Sequence, residues 1–175
     1  MTKSKKIAVC AVMIALALSL SYIERFIPLQ LVVPLPGVKL GLANIVTMIA
    51  LYMLNTKFAY TILIPRCILG SVFGGGITGL AFSVLGGVMA LGVMAAAKRV
   101  RWFSVYGVSI LGAAAHNIGQ ILAAMLLMRS VYIGAYLPYL LIISVFTGLM
   151  TGIACAGVLR TLPNAFISAS PEMRR

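Results

Sequence analysis

The fold class that this 175-residue sequence predicts is all-α, an integral membrane bundle of six transmembrane helices with both ends cytoplasmic. Six long apolar runs fill the chain. Its composition is 62% hydrophobic and 9% charged with a mean hydropathy of +1.12, whereas a soluble domain is about half apolar and roughly a quarter charged. Finally, 14 Lys and Arg against 2 Asp and Glu crowd into alternate breaks between the runs, the pattern by which basic loops stay on the cytoplasmic side.

A span needs about 20 apolar residues at about 1.5 Å rise each. That places helix one near Ile7–Ile27. Its basic start, Met1–Lys6, imitates a signal peptide, but Tyr22-Ile23-Glu24-Arg25 offers no small-residue cleavage site and five more runs follow. The next connection, Pro28 to Pro36, holds three prolines and the apolar Leu31-Val32-Val33, which predicts an ordered loop folded back over the helices. Helix two is expected at Val38–Leu54, followed by the tight turn Asn55-Thr56-Lys57. Helix three, Phe58–Phe73, contains Pro65, whose missing N–H frees the Thr61 carbonyl and predicts a kink. The run Gly74-Gly75-Gly76 reads as a tight turn into helix four, Ile77–Ala97. Helix five is placed at Ser104–Met128 and helix six at Tyr136–Leu159. Residues 1–160 then form one transmembrane domain, and 161–175, with Pro163 and Pro171, a cytoplasmic tail.

With the N-terminus inside, the cytoplasmic segments carry Lys3, Lys5, Lys6, Lys57, Lys98, Arg99, Arg101, Arg160, Arg174 and Arg175. The outer ones carry Arg25, Lys39 and Arg129. The expected setting is a bacterial-type plasma membrane crossed several times. Short basic junctions build no nucleic-acid-binding face, so the net charge of +12 reads as topology and some attraction for anionic headgroups. Cys10, Cys67 and Cys155 lie inside apolar runs without metal or redox spacing and read as structural thiols.

Polar groups within the runs sort by depth. Counted from the cytoplasmic ends, Arg66 lies at about 12 Å, His116 at about 18 Å, Gln120 at about 24 Å and Glu24 at about 25 Å. Asn44, entering from outside behind Lys39, reaches a similar height. His116 and Gln120 share a face of helix five, with Asn117 beside them. Lys39 and Asn44 can converge with these three around one pocket, and interhelical hydrogen bonding that glues the bundle is the competing reading. For Arg66, satisfying carbonyls freed by Pro65 and snorkelling into the pocket are equal alternatives. Glu24 can counter Lys39 or Arg129. Together these groups form a net positive layer in the outer half, which suits a small anionic or amphiphilic ligand.

Small residues one turn apart let helix backbones approach in lipid, where no hydrophobic effect drives association. Gly70/Gly74 and Gly148/Gly152 are such pairs, read as bundle packing. Ala11/Ala15 is a third, either packed inside or a docking strip for a partner helix.

Several chemistries lack their residues. The acids are Glu24 and Glu172 alone, and no Asp exists to cluster around magnesium for diphosphate chemistry. No phosphate-binding loop GxxxxGK[ST] is present, nor a nucleophile elbow. The expectation is a chain that is no enzyme and needs no cofactor or metal of its own. Proton-coupled transport through Glu24 or His116 stays open.

The run LPGVKLGLANIVT over Leu35–Thr47, preceded by SLSYIERFIP over Ser19–Pro28, resembles the family called Gx transporters, also labelled heptaprenyl diphosphate synthase component I. The similarity covers helices one to six. That family in turn resembles the substrate-binding S components of energy-coupling factor transporters. The resemblance implies six helices, an Ala-x-x-x-Ala strip on helix one matching Ala11 and Ala15, and a first outer loop over the ligand. It adds Gly37, Lys39, Asn44 and the polar residues of helix five as pocket candidates. It also implies an energy-coupling transmembrane subunit and two cytosolic ATPases as partners, which would use the ATP. The expected function is capture of a solute from outside for an ATP-driven importer. The rivals are a noncatalytic membrane subunit assisting polyprenyl diphosphate or menaquinone synthesis, and a solitary facilitator.

Overall fold

The computed structural model describes residues 3–26 and 41–161, and every element within them is helical. The helices are α1 (Lys3–Ile23), α2 (Asn44–Met53), α3 (Thr56–Gly70), α4 (Gly76–Arg99), α5 (Val105–Met128) and α6 (Leu137–Thr161). Short 3₁₀ turns follow α1 at Glu24–Phe26 and precede α6 at Val131–Tyr136. Gly37, Lys39, the Pro28–Pro36 loop and the tail lie outside the described residues.

Local chemistry sets the breaks. Asn55 is extended, and its Oδ1 accepts the Phe58 N–H at 3.0 Å, satisfying one of the donors that a helix start leaves open. Ser104 does the same for Gly107 at 3.3 Å. At the other end of α5, Arg129 takes a left-handed φ of 50°, and its N–H returns to the Met125 carbonyl.

Four segments are long and apolar enough to cross a membrane: Ser4–Ile23, Gly76–Arg99, Val105–Met128 and Val131–Thr161. Ile7, Phe146, Met150 and Ile153 lie on their exposed faces. Apolar cover of this extent belongs against lipid rather than water, and the chain is a multi-pass membrane protein. Within the bundle, α5 lies between α4 and α6, while α1 packs on α3.

Two expectations about element bounds are corrected. Helix two starts at Asn44, not Val38: Gly41 has φ +83°, and Gly41–Ala43 form a turn that hands the Asn44 N–H to the Gly41 carbonyl. The ten residues left are about 15 Å long, half a bilayer core of about 30 Å, and nine of them are buried. Thus α2 is a core plug. The glycine run after α3 is also not a plain turn, because Ser71–Gly75 continue as a π-helical turn and the left-handed residue is Gly76, at φ +58°.

Candidate functional site

At one end of the bundle, side chains from separate elements meet around a small hollow of about 20 Å³, lined among others by Ser21, Glu24, Asn44, Arg66, Ser83 and His116. Glu24 arrives from the turn ending α1 and accepts the Gly41 N–H at 2.5 Å. This places a carboxylate at the turn leading into α2, where the positive end of the helix dipole favours it. Asn44, the first residue of α2, accepts at Oδ1 from Arg66 Nη2 at 3.3 Å. Glu24, Asn44, Arg66 and His116 are all buried. Of the two readings open for Arg66, the guanidinium takes the one that reaches the pocket.

Glycine makes this convergence possible. A methyl on Gly41 would sit 3.1 Å from His116 Cδ2, and one on Gly86 would sit 2.8 Å from His116 Nδ1. The imidazole therefore lies between two bare stretches of backbone, one from the turn before α2 and one from α4. The adjacent Gly87 faces the other way, and a methyl there would meet Leu63 at 2.7 Å and Arg66 Nη2 at 3.5 Å. One glycine doublet in α4 thus seats the His116-bearing helix on one side and the Arg66-bearing helix on the other. Glycine within a helix costs about 1 kcal/mol relative to alanine, so a doublet inside an apolar run signals close approach. Gly41, Ser21 and Ser83 line the hollow and Gly86 leaves room for the His116 ring, four positions that the depth count of polar residues does not single out.

The remaining candidates divide. Asn117 donates from Nδ2 to the Leu140 carbonyl at 2.8 Å and so ties α5 to α6. Gln120 is fully buried, does not line the hollow, and neither amide atom has a hydrogen-bond partner among the described residues. Of the positive charges expected in this layer, Lys39 lies outside the described residues. Among the described residues that line the hollow, Glu24 and Arg66 balance.

On the outer face of α1, Ala11 and Ala15 are exposed and continue to exposed Ser19, whose hydroxyl donates to the Ala15 carbonyl at 3.0 Å and so presents no unsatisfied group. The pair Gly148/Gly152 is used inside the bundle: a methyl on Gly148 would meet Ile110 Cα at 2.6 Å. At the end opposite the hollow, Lys98 donates to the Leu51 carbonyl at 3.1 Å, stabilising the negative end of α2, and stands 5.0 Å from the Tyr52 ring centroid.

The hollow fits one water-sized group, offered a guanidinium, a carboxylate, an amide and an imidazole. Such a set can recognise one polar or anionic moiety. Among the described residues no three His, Cys, Asp or Glu side chains gather to hold a metal.

No curated protein and no solved structure matches the chain. One family model does, heptaprenyl diphosphate synthase component I, over residues 13–158, from the middle of α1 almost to the end of α6. By that match, the chain belongs to the heptaprenyl diphosphate synthase component I family.

Proposed function

We propose that this chain is the solute-capturing membrane subunit of an ATP-driven importer, working in the manner of an energy-coupling factor S component and catalysing nothing itself. The observation that carries the reading is the convergence of Glu24, Asn44, Arg66 and His116 on one hollow at the end opposite the basic junctions. Burying a guanidinium in a membrane bundle is expensive, and a site for the anionic group of a small solute repays it. Gly37 and Lys39 stay in the proposal on sequence grounds, and Gln120 as a buried amide without a partner among the described residues.

The exposed strip Ala11–Ala15–Ser19 supports the partner side of the reading, since small residues facing lipid are where another helix can approach closely. In this reading an energy-coupling subunit docks there, and two cytosolic ATPases supply the driving force. Cofactor and metal are absent from the proposed work of this chain. The membrane is the bacterial-type plasma membrane.

A second reading rests on the family description, which names a component of a synthase and so implies another component. In it the chain is a noncatalytic membrane subunit of polyprenyl diphosphate or menaquinone synthesis. Purification from native membranes, with mass spectrometry of the associated chains, separates the two. Co-purifying ATPases together with a membrane coupling subunit support capture; a soluble prenyltransferase without ATPases overturns it.

A further inference from the structure

A second cavity lies away from the polar hollow. It is an open furrow of about 430 Å³ between α1, α2 and α6, with no polar atom in its lining. Met13, Val46, Ile49 and Met53 form a buried floor, and Val12, Leu16 and Val158 are exposed walls. The furrow runs from Ala8 to Leu16, about 12 Å along α1. One leaflet of a core of about 30 Å is about 15 Å deep, so the furrow is one leaflet long. It begins at the basic end of the bundle, where its lining residues Ala8, Met53 and Val158 stand within four positions in sequence of Lys5, Lys57 and Arg160.

From these dimensions we infer that the furrow is a binding site for one acyl chain of an anionic glycerophospholipid from the leaflet at the basic end, with the lipid phosphate beside Lys5. Lys5 is exposed and stands three residues before Ala8 and seven before Val12, on the same stripe of α1. Its neighbour Lys6 is already placed over the Phe58 ring, 5.5 Å from the centroid. A docked helix fits this place poorly. The small residues that favour helix contact, Ala11 and Ala15, lie outside the furrow lining. A long polyprenyl chain would overrun a site one leaflet deep. The inference is independent of the polar hollow and of what that hollow binds.

The test reconstitutes the full chain in phosphatidylcholine vesicles containing phosphatidylglycerol, extracts it in mild detergent and counts retained lipid by native mass spectrometry. The expected result is one phosphatidylglycerol per chain. Ala8→Phe, which fills the furrow from its exposed rim, should lower that occupancy at least tenfold. Ile142→Phe, on the exposed face of α6 outside the furrow, should leave it unchanged. Lys5→Gln should keep a lipid but lose roughly fivefold of the preference for phosphatidylglycerol over phosphatidylcholine. The inference is overturned if the wild-type chain retains no lipid, or if Ala8→Phe retains as much as wild type. It also fails if geranylgeranyl diphosphate displaces phosphatidylglycerol at equal concentration, or if a partner's helix cross-links to Val12 or Leu16.

Discussion

Replacing Gly119 by alanine places a methyl 2.7 Å from the Leu85 carbonyl oxygen, 2.8 Å from Gly86 Cα and 2.9 Å from Gly86 N. Ordinary contacts of a Cβ begin near 3.4 Å, so α4 and α5 must separate by about 0.7 Å at the level where Gly86 holds the His116 ring. Both sides are backbone, which no rotamer change can relieve. Overpacking of this kind costs about 1–3 kcal/mol, set against a gain of up to about 1 kcal/mol from alanine's better helix propensity. Gly157→Ala isolates the gain, because nothing lies within 4 Å of a methyl there. The two variants should therefore differ by about 1–3 kcal/mol, roughly a 5- to 150-fold difference in unfolding equilibrium. Reversible unfolding in mixed micelles, followed by helical circular dichroism, measures the difference. Equal midpoints for Gly119→Ala and Gly157→Ala would refute the backbone contact on which the position of His116 depends.

Three further outcomes are expected. Ala15→Trp on the exposed strip of α1 should abolish assembly with the coupling subunit while leaving ligand affinity intact, and normal co-purification would remove Ala11 and Ala15 from the docking role. Asn117→Leu removes the donor to the Leu140 carbonyl and should lower stability by about 0.6–1.7 kcal/mol, with ligand affinity unchanged because the amide faces α6. Gln120→Leu replaces a buried amide that has no partner among the described residues by an apolar group of similar size and should be neutral or stabilising to the apo chain; a clear loss of stability would show that the amide is already satisfied.

The apolar runs announce each of the six α-helices among the described residues, because lipid tolerates only a backbone that satisfies itself. Their bounds agree closely at Ser104, shift at Asn55, where the cap lets α3 begin at Thr56 inside the expected turn, and slip further where tertiary geometry decides. Gly41 sits in an apolar run that predicts helix, yet its positive φ and the Glu24 carboxylate on its N–H turn the chain there. In the site, depth counting spreads Arg66, His116 and Glu24 over about 12 to 25 Å, and it is the fold that gathers them with Asn44 around one hollow. Depth does not separate Asn117 from Gln120, since rotation of α5 about its axis is set by Gly112, Gly119 and the glycines of α6 against their neighbours. Proline chemistry left two courses for Arg66, and the choice came from Asn44, 22 residues away. The furrow was illegible because its lining comes from three helices and looks, residue by residue, like any other membrane surface.

Central to this account is that Arg66 holds the anionic group of a small solute. The direct measurement is mass spectrometry of small molecules released from the natively purified wild-type chain and from Arg66→Gln. The account predicts one anionic solute, near one per chain, lost from the variant while helix content and co-purifying partners persist. Equal release from both proteins, or a wild-type chain that carries only lipid, would contradict it.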